Sequence, residues 1–193
     1  MNFKEQTLED IIWDNSQTEE GRKLLKNRGL VILGNIYRQV DLGSYGRADL
    51  ITVFYDPSVN EATITVYELK KGSITKDAFM QACRYITGIK RHGFDEDSFD
   101  TTFIYRICLI GDYFDSKNDF CYLYNESFFA DAYVYDYAID GISFKLIERN
   151  WSRIDEKLNK ESVEHIGAIL DLEIANSKED DTTKQEFSHE LPF

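Results

Sequence analysis

The chain predicts an α/β fold built on a mixed β-sheet flanked by helices, and three observations carry that expectation. Segments of helical periodicity alternate with strand-like runs in the order α-β-β-β-α-β-α-β along 193 residues. Two of the strand runs, 48–56 and 63–71, are joined by the turn-forming stretch "DPSVNEA", which makes them an antiparallel hairpin. A further run, "TFIYRICLIGDYF" (102–114), is so strongly apolar that it belongs at the centre of the sheet.

Each element has its own signal. Residues 7–28 read as helix with a break near Asn15-Ser16. Thr7 can cap the first piece, whose Leu8, Ile11 and Ile12 fall at helical spacing. The second piece carries Leu24 and Leu25 and stops at Gly29, a C′ glycine by position. Strands are expected at "LVIL" (30–33), "NIYRQVDL" (35–42), 48–56 and 63–71. A helix follows over 76–91, ended by His92-Gly93, with Phe79, Ala82, Ile86 and Ile89 as its apolar stripe and Gln81, Tyr85 and Gly88 on another face. The acidic stretch 94–100 reads as a loop, 119–129 as a short helix, and 130–150 as a strand pair turning at Asp140-Gly141. Ser152 and Asp155 form a capping box for helices running to Asn176, in which Ile154, Leu158, Val163, Ile166, Leu170 and Ile174 supply either core cover or a dimer seam. The organisation expected is therefore one α/β domain over 1–150, C-terminal helices packed on it over 151–176, and a loose acidic tail over 177–193.

Composition narrows the classes of function. Apolar residues make up 42% and the chain has only two prolines, which fits a globular core rather than a linker. No run is long and apolar enough for a membrane span, and the acidic start lacks the pattern of a signal peptide. Cys83, Cys108 and Cys121 are widely spaced and read as core thiols, so a cytoplasmic setting is expected. The net charge of −13 argues against a nonspecific polyanion binder. The charge is uneven, however: Lys70, Lys71, Lys76, Arg84, Lys90 and Arg91 are opposed only by Asp77 across 70–91. A basic patch on an acidic body is compatible with a nucleic-acid site.

The hairpin carries the chemistry. "GRADLIT" places Asp49 inside an apolar strand, and "VYELKKG" does the same with Glu68 and Lys70. Residues i and i+2 share a strand face, so Glu68 and Lys70 project together, and Asp49 on the neighbouring strand can reach Glu68. Two adjacent carboxylates repel and raise one another's pKa. A divalent cation removes that penalty, and hard oxygen ligands suit Mg²⁺ or Mn²⁺. Such a set describes metal-assisted hydrolysis of a phosphodiester. The rival reading is a surface ion pair of Asp49 with Arg47 or Lys70.

"GRADL…YELKKG" with "FMQACRY" downstream resembles the PD-(D/E)xK nuclease superfamily, and the run 7–91 is similar to the catalytic domain of NucS-type endonucleases. The resemblance implies a restriction-endonuclease-like core and a metal-dependent nuclease, with DNA the expected substrate, in repair, defence or phage DNA processing. It implies Asp49 and Glu68 as metal-binding acids, the Leu69 carbonyl as a further ligand, and Glu9 on the first helix completing the metal site. Lys70 would position the attacking water or stabilise the transition state, and Gln81 would contact the metal's water or the substrate backbone. Gln39 and Arg47 fit the flanking polar positions. Arg47, Lys71, Lys76, Arg84, Tyr85, Lys90 and Arg91 are the expected nucleic-acid contacts, and a homodimer or larger complex is compatible. The superfamily's "PD" is Ala48-Asp49 here, which leaves the carboxylate intact. The alternative is a nuclease fold without turnover, acting as a binding or structural module.

Overall fold

In the computed structural model the described residues are 5–92, 100–115, 119–139 and 141–149. The expected C-terminal helices, the capping box at Ser152 and the tail lie outside them, as does most of the acidic loop 94–100.

The first helical segment is two helices, α1 (Glu5–Ser16) and α2 (Glu19–Asn27). Thr7 is not a cap, since α1 already runs through it. The cap belongs to Thr18, whose hydroxyl accepts the Gly21 N–H at 3.0 Å and so starts α2. Gly29 ends α2 at φ 96°, as a C′ glycine does. "LVIL" forms no strand: Leu30 and Ile32 are buried, Val31 and Leu33 exposed, and the segment has no ladder partner among the described residues.

Six strands form one sheet in the order β1-β2-β3-β5-β7-β8. They are β1 (Asn35–Asp41), β2 (Arg47–Asp56), β3 (Glu61–Leu69), β5 (Thr102–Gly111), β7 (Ala130–Ala138) and β8 (Gly141–Leu146). The β1–β2, β2–β3 and β7–β8 pairs are antiparallel, while β3–β5 and β5–β7 are parallel. The fold is thus α/β with a mixed sheet, and the apolar run 102–114 does supply a central strand. That run is not continuous: it breaks at Asp112, and β6 (Tyr113–Phe114) leaves to pair with β4 (Ser73–Ile74).

Two cores cover the sheet, one per face. Leu8 and Ile12 of α1 and Leu25 of α2 pack on Leu50, Tyr67, Leu69, Cys108 and Ile110. On the opposite face α3 (Lys76–His92) and α4 (Phe120–Glu126) contribute Phe79, Ala82, Tyr85, Ile89, Phe120 and Tyr124 against Ile51, Ile64, Val66, Ile107 and Leu109. Three layers, α/β/α, bury both faces of the later halves of β3 and β5; β5 accordingly reads as a nearly continuous apolar run, whereas β3 alternates through Thr63 and Thr65 before its fully buried stretch Val66–Leu69. No described helix is long and apolar enough to cross a membrane.

Candidate metal-binding and catalytic site

The site forms where β2 and β3 part company. Leu50 faces Tyr67 in the ladder, so one further step along both strands sets Asp49 opposite Glu68, and there the pairing stops. Asp49 replaces the lost ladder contact with its side chain: Oδ2 accepts the Leu69 N–H at 2.9 Å. Asp49 is partly buried at the strand fork rather than fully exposed, and the Lys70 charge beside it favours its ionised form. Arg47 pairs instead with Asp41, at 3.8 Å. Gly46, which opens the "GRADL" motif, has φ 102° and lies so close to Tyr85 that a Cβ there would stand 3.1 Å from its ring. The motif glycine is dictated by both backbone and packing.

Glu68 is 1% exposed, the most buried acid among the described residues. Lys70, two positions on and on the same face, places its Nζ 2.5 Å from Glu68 Oε1. The other oxygen, Glu68 Oε2, is buried with no hydrogen-bond partner. A buried carboxylate oxygen left alone is costly and calls for a compensating group. Burial pushes the Glu68 carboxyl up to about 7; the Lys70 bond opposes this and the Asp49 charge adds to it. Burial likewise raises Asp49 to about 6, against the pull of the Leu69 N–H and Lys70, with Glu5 and Glu9 pushing further up. For Lys70 burial works downward, yet the Glu68 bond and the surrounding carboxylates hold it above its ordinary value.

Each acid therefore has one oxygen committed, Asp49 Oδ2 to Leu69 and Glu68 Oε1 to Lys70; of the other two, Glu68 Oε2 is buried without a partner, and Asp49 Oδ1 takes no hydrogen bond among the described residues. Among the described residues no three His, Cys, Asp or Glu side chains come together as a closed metal cage. Mg²⁺ does not require one: it is held by one or two carboxylates and keeps its remaining positions for water and phosphate oxygens. The residues present fit such an ion.

Glu9 sits elsewhere in the network than expected. It is 3% exposed, and both its oxygens are taken: Oε1 accepts Arg38 Nε at 2.5 Å and Oε2 accepts Gln39 Nε2 at 2.8 Å. Arg38 also binds Asp10, whose carboxyl it holds below the usual range with help from Gln6. Each oxygen of Glu9 thus accepts one donor from β1, which ties α1 to that strand as a buried anchor. The acid nearer the fork is Glu5, one helical turn earlier. It accepts the Lys71 N–H at 3.2 Å, and its charge raises both Asp49 and Glu68. Sequence reasoning missed it, although its i, i+4 spacing from Glu9 was the available signal. Arg38 was missed too; a buried acid on α1 demanded a cation, and "IYRQVD" offers one.

Gln81 donates to the Tyr85 hydroxyl at 2.5 Å and makes no hydrogen bond to Asp49 or Glu68. Tyr85 corrects the expectation of a nucleic-acid contact: it is 1% exposed inside the α3 core, so it cannot meet nucleic acid. The face it shares with Gly88 is packed because Tyr45 from the β1–β2 connection closes over Gly88. The basic residues are brought together in part. Lys76, Arg84 and Arg91 recur along one exposed strip of α3, and Lys90 flanks it with its Nζ 4.4 Å from the Tyr105 ring centroid. Arg84 approaches Gly46, and so comes beside exposed Arg47 at the start of β2. Lys71 is also exposed, immediately after the site strand. Leu69 turns its side chain into the opposite core, as the i+1 position must.

No family model, curated protein or solved structure matches the chain.

Proposed function

We propose that the protein is a metal-dependent nuclease with a restriction-endonuclease-like PD-(D/E)xK core, hydrolysing phosphodiester bonds in nucleic acid, DNA foremost. One observation carries the reading: a fully buried Glu68 whose Oε2 has no partner, set opposite Asp49 and beside Lys70 at a strand fork. A purely structural site would neutralise that oxygen with a donor; here a cation is the compensating group that the two acids suit. Asp49, Glu68 and the adjacent Leu69 carbonyl would hold Mg²⁺ or Mn²⁺. When bound, such an ion supplies Lewis acidity toward water and phosphate. The chain's own groups do the rest. Lys70 keeps a full positive charge next to the reacting phosphate, Leu69 N–H fixes the Asp49 carboxylate, and the α3 strip with Arg47 and Lys71 holds the phosphate backbone. A catalytically inactive nuclease fold used as a binding module is the second reading. It is favoured by the Lys70–Glu68 pair, which partly neutralises the site by itself.

Incubation with duplex, single-stranded, branched and mismatched DNA and with RNA, in Mg²⁺ or Mn²⁺, separates the two. Cleavage that vanishes in Glu68→Ala and Lys70→Ala while both remain folded supports the nuclease. Binding without cleavage in every metal supports the module.

A further inference from the structure

We infer that Gln39 is a positioning residue for the Asp49–Glu68 fork, acting through the left-handed backbone kink that it adopts in β1; the inference rests on the reading of that fork as a metal site. Gln39 lies mid-strand with φ 50°, in the left-handed region that non-glycine residues seldom occupy. It falls where the β1–β2 ladder is interrupted: Arg38 pairs with Leu50 and Val40 with Ala48, so Gln39 stands opposite Asp49. One row across three strands then reads Gln39, Asp49, Glu68, with the pairing broken at both steps.

The kink changes which faces the strands present. Ile36 packs on the α1–α2 side, yet Val40, four positions on, packs on the α3 side. In β2 the same slip occurs, with Leu50 on the α1 side and Ala48 on the α3 side. A regular strand would keep residues of one parity on one face. Both strands therefore change phase together, at Gln39 and at Asp49. The same kink lets two consecutive residues reach one carboxylate, since Arg38 and Gln39 bind the two oxygens of Glu9. Flattening β1 at Gln39 would restore ladder pairing opposite Asp49 and pull its carboxylate out of the fork. Non-glycine left-handed residues held by their surroundings concentrate at functional sites, which accords with this role.

The test compares Gln39→Gly, Gln39→Ala and Gln39→Val in the full chain, with Mn²⁺ affinity followed by electron paramagnetic resonance and Leu69 amide exchange by NMR. Glycine and alanine both delete the Glu9 hydrogen bond, and differ in their tolerance of positive φ. The expected order of Mn²⁺ affinity is wild type and glycine within threefold, alanine weaker, and valine at least tenfold weaker. Leu69 N–H, which reports the Asp49 contact without metal, should exchange at least tenfold faster in the valine variant and unchanged in glycine. If valine does not fold, the glycine–alanine pair decides. Equal affinity and equal Leu69 exchange across the folded variants overturn the role of Gln39. Wild type that binds no Mn²⁺, with Leu69 exchange still ordered as expected, overturns the metal reading and leaves the kink as the determinant of Asp49 placement alone.

Discussion

Replacing Glu68 by glutamine should stabilise the metal-free protein at alkaline pH. The amide keeps the shape of the protonated acid and removes its charge. Burial, first among the causes, lifts this carboxyl from 4.5 to about 7 in the folded chain. Between those values the folded state holds a proton that the unfolded state has released, so wild-type stability falls as pH rises through the window. At about 1.4 kcal/mol per pH unit over that interval the cost reaches about 3 kcal/mol by pH 8. Glutamine avoids it. Asp49, raised to about 6, titrates in both proteins and cancels in the difference, and Lys70, raised above 10.5, contributes its stability throughout this range and loses it only at higher pH. Urea unfolding at half-unit steps from pH 4 to 8.5, without divalent ions, should therefore show near-equal stability at pH 4 and a variant more stable by about 2–3 kcal/mol at pH 8. Millimolar Mg²⁺ should reverse the order, since only the wild type gains binding energy on folding. A difference that is flat with pH, or a variant less stable at pH 8, would refute the reasoning.

Other perturbations have equally definite outcomes. Arg38→Ala leaves Glu9 buried with one donor and should cost about 3 kcal/mol by chemical denaturation, with Arg38→Lys recovering little because a single ammonium cannot span Glu9 and Asp10. Tyr85→Ala should cost about 4 kcal/mol as a core cavity, while Tyr85→Phe loses only the Gln81 bond, about 1 kcal/mol; thermal melts read both. The double variant Arg84→Gln, Arg91→Gln should weaken nucleic-acid binding evenly across sequences and reduce its salt dependence by about one phosphate per residue, measured by fluorescence anisotropy, with Mn²⁺ affinity unchanged.

The order of elements was legible because it rests on periodicity. The hairpin, the buried central strand and α3 all follow from which residues must leave water. What escaped depends on contacts between distant segments. "LVIL" has the composition of a strand but sits beyond the sheet's last ladder partner, and Leu30 and Ile32 are buried by joining the core that α1 and α2 form on the sheet. Tyr85 reads as a nucleic-acid contact in the sequence because what packs along that face comes from the distant β1–β2 connection, with Tyr45 against Gly88 and Gly46 against Tyr85. The pair of Asp49 and Glu68 could be placed together from alternation, since it needs only hairpin register. Glu9 was expected at the metal site, and its partners escaped that reading because the donors that bind its two oxygens lie on β1, and the kink that aims both at it appears in φ rather than in composition.

The central claim is that Asp49 and Glu68 share a divalent cation through their uncommitted oxygens. Anomalous diffraction from crystals grown with Mn²⁺ at pH 8 tests it most directly. One peak should lie within roughly coordination distance, about 2.2 Å, of Asp49 Oδ1 and Glu68 Oε2, with Lys70 retained beside it. A map with no peak at the fork, or with its peak on Glu9, would contradict the account.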